Sequence, residues 1–179
     1  MPTRTLVIGG QRSGKSRFAE TLVVASGLAP VYLATGTAGD ASMRDRIDAH
    51  RARRGTEWRT VEEPLDIAAA LLRESGPGFH LLVDCLTLWV SNLMGEQRDV
   101  GGETRRLVEA LARITGPVTI VTGEVGLGII PDNQLARRYA DALGAANQEV
   151  AAAVDRVVLV SAGLPLTLKT EQPNTEVDI

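Results

Sequence analysis

The chain has 179 residues, of which 44% are hydrophobic and 23% charged, and its formal net charge is −3 at pH 7. This composition is typical of a globular protein with a substantial core and excludes an intrinsically disordered chain. The slight acidic excess argues against a nucleic-acid partner, because proteins that bind a phosphate backbone usually carry a basic excess. The single cysteine, Cys85, excludes an intrachain disulfide and a cysteine-based zinc cluster.

The sequence gives no sign of export or of membrane insertion. Its first residues lead directly into an apolar strand, which leaves no room for a targeting signal. No run approaches the roughly 18 consecutive apolar residues that a membrane-spanning helix needs. We therefore expect a cytoplasmic protein without a membrane span.

Short apolar, β-branched runs alternate with helical patterns along the chain. The predicted strands are, in chain order, residues 5–9, 30–35, 58–62, 79–84, 118–122, 156–160 and 165–169. The predicted helices are residues 16–24, 42–54, 64–73, 104–114 and 132–154. Residues 95–103, which are glycine-rich and charged, are predicted to form a surface loop.

This order of elements predicts an α/β fold with a doubly wound, mostly parallel sheet and helices on both faces. Four of the predicted strands are continuously apolar, which is typical of strands buried on both faces of a parallel sheet. In such a sheet, ligands bind at the carboxyl ends of the strands. We expect one domain over residues 1–169 and a loose polar tail over residues 170–179.

The strongest motif lies between the first predicted strand and the first predicted helix. It matches G-x-x-x-x-G-K-[ST], the P-loop of NTPases, through Gly9, Gly10, Gln11, Arg12, Ser13, Gly14, Lys15 and Ser16. In this motif backbone amides and the helix N-terminus bind a nucleoside triphosphate, the lysine reaches the β- and γ-phosphates, and the serine hydroxyl binds Mg²⁺. Lys15 is one of only two lysines among 19 basic residues, which suggests a site that requires a compact ammonium.

Asp84 ends the predicted strand 79–84 and is a second candidate for the site. An acidic residue at the tip of a buried strand commonly holds Mg²⁺ opposite a P-loop. The alternative is that Asp84 caps a helix beginning at Leu86. His80 lies at the other end of the same strand and is expected to be structural.

His50 allows two interpretations. It continues the apolar stripe of the predicted helix 42–54, so it could pack half-buried against the core. Arg46, Arg53 and Arg54 lie one turn away on either side of it. Such cations lower the pKa of a histidine, keep its ring neutral and nucleophilic, and can bind phosphates. Spacing alone does not decide between the two interpretations.

Residues 123–131 follow the predicted strand 118–122 and contain three glycines and one carboxylate, Glu124. A loop of this kind at the carboxyl end of a strand could lie over a ligand site. It could equally be a tight surface loop, and its composition does not decide.

Taken together in this order, these motifs resemble a known family, the bifunctional adenosylcobinamide kinase / adenosylcobinamide-phosphate guanylyltransferase of cobalamin biosynthesis. The matching elements are residues 9–16, 46–50, 58–60, 124–131, 147–148 and 163–166. The resemblance implies an enzyme that phosphorylates adenosylcobinamide with ATP or GTP. It then implies transfer of GMP from GTP through a guanylyl-histidine, which gives adenosyl-GDP-cobinamide. His50 matches that histidine and Lys15 the catalytic lysine of the P-loop.

The same resemblance implies further contacts and partners. The positions that match nucleotide or metal contacts of the family are Thr35, Gly36, Arg51, Ala52, Arg53, Arg54, Glu62 and Asp84. Mg²⁺ would be held by Ser16 and Asp84, and the carboxylate of Glu62 could accept hydrogen bonds from guanine. A corrinoid substrate and a homotrimer are expected. Gly123 departs from the family, which usually has asparagine there, so the loop after it is expected to be looser or to depend on other contacts.

Three alternatives to the bifunctional enzyme stay open at this point. One is a monofunctional small-molecule kinase with a structural His50. Another is a guanine-nucleotide switch, although the usual Asn-Lys-x-Asp motif is absent because lysine occurs only at positions 15 and 169. The third is a nucleotide-binding module without chemistry, which the cluster of His50 and arginines disfavours.

Overall fold

The computed structural model describes residues 3–36 and 55–170. Within these ranges the strands are β1 Arg4–Gly9, β2 Ala29–Ala34, β3 Arg59–Glu62, β4 Phe79–Asp84, β5 Val118–Gly123, β6 Arg156–Ser161 and β7 Leu164–Lys169. The helices are α1 Lys15–Ala25, α2 Ile67–Glu74, α3 Leu86–Gly95, α4 Val100–Arg113 and α5 Gln134–Ala153. Each predicted strand is confirmed to within one residue at either end. The predicted helix 42–54 and most of the predicted tail lie outside the described residues.

All of these strands form one sheet in the order β3-β2-β4-β5-β1-β6-β7. Every neighbouring pair is parallel except β6 and β7, which form an antiparallel hairpin at one edge. The turn of that hairpin places Ala162 (φ 51°) and Gly163 (φ 79°) in the left-handed region. The mostly parallel sheet predicted from the sequence is therefore confirmed.

Helices cover both faces of the sheet, as predicted. Alternate residues along the strands enter two separate apolar clusters, with Leu6 in one and Val7 in the other, because successive side chains of a strand point to opposite faces. Buried residues of α2, α3, α4 and α5 join the first cluster, whereas those of α1 join the second. Among the described helices, none combines the length and hydrophobicity needed to cross a bilayer.

The helices between β4 and β5 differ from those predicted from the sequence. It contains two helices, α3 and α4, whereas only a helix over residues 104–114 was expected. The predicted surface loop 95–103 is reduced to a connection between Gly95 and Val100. The paired glycines 101 and 102 have low helix propensity and suggested a loop. They are nevertheless helical because buried Thr104, Leu107, Ala110 and Leu111 pack the same helix against the core.

The register of the sheet determines which residues meet at its carboxyl edge. Gly9, at the start of the predicted P-loop, pairs with Gly123 of β5. Ala34 pairs with Asp84 of β4 on one side and with Glu62 of β3 on the other. The ends of β1, β2, β3, β4 and β5 therefore bring most of the described candidate site residues to one edge.

Candidate functional site

The segment between β1 and α1 has the backbone that a phosphate-binding loop requires. Arg12 (φ 56°) and Gly14 (φ 95°) are both left-handed, and Gly14 is the N-cap residue of α1. Left-handed residues next to right-handed ones create concavities lined by backbone N–H groups, which bind anions. A Cβ atom at Gly9 would lie 2.4 Å from the carbonyl oxygen of Val160, so only glycine fits there. The motif thus adopts a nest that opens onto the N-terminus of a helix.

Two contacts hold this loop in place. The amide of Gly163, in the β6–β7 turn, donates to the carbonyl of Ser13 at 2.8 Å. The ammonium of Lys15 donates to the carbonyl of Gly10 at 3.0 Å and so lies along the loop. The hydroxyl of Ser13 is buried and has no hydrogen-bond partner among the described residues. The loop therefore combines a fixed backbone with a cation and a free polar atom at the position where phosphates bind in such motifs.

Asp84 lies close to this loop, although its strand is two places away from β1. The helix α1 packs across β5 and β4, which carries the P-loop lysine toward the end of β4. Burial and, after it, the carboxylate of Asp84 raise the pKa of the Cys85 thiol to about 11, and the charge of Lys15 acts in the opposite direction. Lys15, at the start of α1, and Asp84, at the end of a strand against which α1 packs, therefore belong to the same side of the sheet.

The carboxylate of Asp84 is buried and oriented by a neighbouring strand. The phenol of Tyr32, on β2, donates to it at 3.1 Å. Asp84 is not the N-cap of α3, because that position is occupied by Cys85. The helix-cap alternative is thus wrong, and the carboxylate stands at the end of a buried strand beside the P-loop.

Thr35 joins the ends of β2 and β4. Its hydroxyl donates to the carbonyl of Cys85 and accepts from the amide of the same residue, both at 2.8 Å. Its carbonyl accepts from the side-chain amide of Asn92, which also donates to the carbonyl of Pro64. Thr35 is buried and its hydroxyl is fully used within the protein, whereas the adjacent Gly36 is partly exposed at the same edge.

Glu62 stands apart from the phosphate loop. It is exposed at the end of β3, and four strand spacings, about 19 Å, separate β3 from β1. At that distance Glu62 could contact the base of a nucleotide whose phosphates lie on the P-loop, but not the phosphates themselves. His50 and the arginine group around it, namely Arg46, Arg51, Arg53 and Arg54, lie outside the described residues, as does Ala52.

The sequence analysis missed a group of residues that secure the end of β5. The amide of Gly123 donates to the hydroxyl of Thr87 at 2.7 Å, and its carbonyl accepts from the side chain of Asn147 at 3.1 Å. Thr122 donates to the other end of the same Asn147 side chain at 2.7 Å. The pair Asn147-Gln148 was noted as a family element, but nothing in the sequence pointed to Thr87.

These contacts explain the unusual glycine at position 123. A Cβ atom there would lie 2.8 Å from the hydroxyl oxygen of Thr87, which occupies the space beside the backbone. The next amide, that of Glu124, donates to the carbonyl of Gly9 at 3.1 Å. The root of the loop after β5 is therefore held by Thr87, Asn147 and the P-loop itself, and not by a side chain of residue 123.

Comparison with known proteins is consistent with this arrangement. Residues 5–168 match the family described as cobinamide kinase / cobinamide phosphate guanyltransferase, or CobU. The chain belongs to this family. It is therefore a transferase with two activities, a kinase and a nucleotidyltransferase, and the resemblance drawn from its motifs is confirmed.

Two relatives of the CobU family match almost end to end. The bifunctional adenosylcobalamin biosynthesis protein CobP of Pseudomonas aeruginosa is 49% identical over 170 residues, which cover 94% of this chain and 98% of that protein. The bifunctional adenosylcobalamin biosynthesis protein CobU of Salmonella typhimurium is 38% identical over 181 residues, which cover 92% and 98%. In fold alone, the chain is similar to the RadB recombinase, with a TM-score of 0.51 at 15% identity over 88% of this chain and 73% of that one.

Proposed function

We propose that this chain phosphorylates the free hydroxyl of adenosylcobinamide with ATP or GTP and then transfers GMP from GTP to the new phosphate, giving adenosyl-GDP-cobinamide. The observation that carries the proposal is the phosphate-binding nest of a CobU-family chain, with Lys15 lying along it and Asp84 at the end of a strand against which α1 packs. A kinase without the second activity is disfavoured by end-to-end similarity to proteins named bifunctional. A switch or a binding module is disfavoured by the family's two transfer activities.

In the kinase step, the acceptor hydroxyl attacks the γ-phosphorus, a new O–P bond forms, and the bond to the β-phosphate oxygen breaks. Lys15 has the reach and charge to stabilise the negative charge that moves onto the bridging and γ oxygens. The backbone amides of residues 9–16 and the N-terminus of α1 orient the triphosphate. The proton of the hydroxyl passes to solvent or to a phosphate oxygen.

The donor set fits a magnesium ion bound together with a nucleotide. Among the described residues there is no group of three or more His, Cys, Asp or Glu side chains that could hold a metal alone. Mg²⁺ usually binds proteins through one or two oxygen ligands and completes its shell with phosphates and water. Ser16 and Asp84 would be those ligands, and the ion would supply neutralisation of phosphate charge when bound.

In the guanylyl step we assign the nucleophile to His50, by its match to the family's histidine. Its ring nitrogen attacks the α-phosphorus of GTP, an N–P bond forms, and pyrophosphate leaves. A phosphate oxygen of the phosphorylated corrinoid then attacks the same phosphorus and releases the histidine. We assign nucleotide contacts to Gly36, Glu62 and Arg51–Arg54, with Ala52 among them, and to the backbone of Thr35.

We also propose that residues 1–169 act as one catalytic domain and that the chain works as a homotrimer. The family match over residues 5–168 supports the single domain, and the homotrimer is what the resemblance to the family implies. The apolar strand β7 is consistent with contact between copies, because Leu164, Leu166 and Leu168 are all exposed on it.

Labelling with GTP that carries radioactive phosphorus at the α-position tests the guanylyl step. We expect a covalent adduct that is labile in acid and stable in alkali, as a phosphoramidate is. It should be lost in His50→Asn and kept in His80→Asn, which removes the other of the two histidines. Active wild-type protein without label, or label that persists in His50→Asn, would contradict the assignment.

A further inference from the structure

The loop between β5 and α5 exposes a set of large apolar side chains. Leu127 is 87% exposed and Ile129 is 97% exposed, and Val125 and Ile130 are exposed as well. Residues 125–131 include no charged side chain. We call residues 125–130 the apolar loop. Large apolar side chains gathered on a surface mark a site that another molecule covers.

The apolar loop is held at both of its ends. At the start, Gly123 is bound by Thr87 and by Asn147, as described above. At the end, the guanidinium of Arg137 donates to the carbonyls of Pro131 and Asp132 at 2.7 and 2.6 Å. Ordered ends reduce the entropy that is lost when a ligand binds, so these contacts favour a binding role over simple surface exposure.

The apolar loop begins next to the phosphate site. The amide of Glu124 donates to the carbonyl of Gly9, the first residue of the P-loop. The carboxylate of Glu124 then accepts from the amide of Gly126 at 2.6 Å, which turns the chain at the start of the loop. A molecule that rests on the apolar loop is therefore adjacent to the nucleotide phosphates.

We propose that the apolar loop binds the apolar face of the corrin ring of the acceptor substrate, and so presents the acceptor hydroxyl to the P-loop. This inference rests on the proposed function. The reaction brings together a nucleotide and a corrinoid, and the nucleotide phosphates are recognised by amides and by Lys15. Uncharged branched side chains have no role in binding phosphates, whereas the macrocycle of the acceptor offers apolar surface that such side chains can cover.

Equilibrium dialysis of cobinamide, followed by its visible absorbance, tests the assignment with three proteins. These are the wild type, Leu127→Ser/Ile129→Ser, and the control Val24→Ser/Leu72→Ser, whose side chains are also exposed. We expect the dissociation constant of cobinamide to rise at least about tenfold in the loop variant and to stay unchanged in the control. The KM for ATP and the labelling by GTP should stay unchanged in both variants, which also shows that they are folded.

Two results would overturn the inference while leaving the proposed function intact. One is an unchanged affinity for cobinamide in the loop variant. The other is a loss of affinity accompanied by a change in sedimentation coefficient, which would assign the apolar loop to contacts between copies of the chain. Wild-type protein that neither binds nor phosphorylates cobinamide would overturn the proposed function, and this inference with it.

Discussion

The phenol of Tyr32 donates a hydrogen bond of 3.1 Å to a carboxylate oxygen of Asp84, and both side chains are buried on neighbouring strands. Tyr32 is itself held edge-on against Trp58, with ring centroids 6.3 Å apart at an interplanar angle of 76°. The carboxylate proposed to bind Mg²⁺ is thus oriented by a strand other than the one that leads into the P-loop. Its position is set by the packing of the sheet before a nucleotide binds.

Replacement of Tyr32 by phenylalanine tests this relationship. The variant loses a hydrogen bond to a buried carboxylate, which should lower the free energy of unfolding by about 2 kcal/mol in urea titrations. The less constrained carboxylate should also raise the Mg²⁺ concentration that gives half-maximal kinase activity. Tyr139→Phe is the matched control, because Tyr139 donates to the carbonyl of Thr87 and not to Asp84. A Mg²⁺ dependence that shifts equally in both variants, or in neither, would contradict an orienting role for Tyr32.

Lys15 is the residue whose loss should affect phosphoryl transfer most. Without its ammonium, the charge that develops on the transferred group is not compensated, and kcat should fall by about a hundredfold or more. Lys15→Arg should recover little of the rate, because a planar guanidinium does not fit a cradle shaped for a point charge. The assay is transfer of labelled γ-phosphate from ATP to cobinamide, with Lys169→Ala as the control. Near-normal turnover in Lys15→Ala would show that the P-loop is not the kinase site.

The strands of the sheet could be predicted because each of them is marked by a short apolar run in the sequence. Strands such as β4 and β5 are continuously apolar, and their ends fall where the apolar run ends. The helix α3 was missed because it follows β4 after a single residue and is itself apolar, with Trp89 and Leu93 fully buried. Periodicity does not separate a buried strand from a buried helix when both belong to one apolar run.

The phosphate loop could also be predicted, whereas its supports could not. A P-loop is a local motif, so its residues are adjacent in sequence. Thr87 and Gly123, by contrast, are 36 residues apart, and the partner of Thr87 is a backbone amide that has no sequence signature. The contacts of Lys169 could not be predicted either. Its ammonium donates to the carbonyls of Ala151 and Ala152, both at 2.9 Å, near the end of α5. The scarcity of lysine in the sequence suggested that an ammonium is needed at this position, but it did not indicate binding to helix carbonyls.

Thr87 offers a test of the support for the loop after β5. Thr87→Val keeps the shape of the side chain but leaves the buried amide of Gly123 without its acceptor, which should cost about 1 to 3 kcal/mol of stability. Thr87→Ser keeps the hydroxyl and should behave like the wild type. Urea unfolding measures the stability, and amide hydrogen exchange of residues 123–131 reports the order of the loop. Equal protection of these amides in the valine and serine variants would contradict a supporting role for the hydroxyl.

His80 should make stability depend on pH. It is buried on β4, its Nε2 lies 3.0 Å from the hydroxyl of Thr119, and its Nδ1 has no partner among the described residues. Burial lowers the pKa of His80 to about 4, from an ordinary value near 6.5. The imidazole is therefore neutral in the folded protein at pH values where the unfolded chain already binds a proton. Stability from this residue is complete above about pH 6.5, falls as the pH drops, and stops falling near pH 4.

The size of this effect can be measured against a variant that does not titrate. Between pH 7 and about pH 5, the wild type should lose about 2 kcal/mol more than His80→Gln, since each pH unit below 6.5 contributes about 1.4 kcal/mol. Glutamine still reaches Thr119 with a polar group, and most carboxylates remain ionised in this range, so they contribute similarly to both proteins. Urea unfolding at closely spaced pH values gives the two curves. Parallel curves would mean that the pKa of His80 is the same in the folded and unfolded states, and hence that its site is open to water and not part of the closed core.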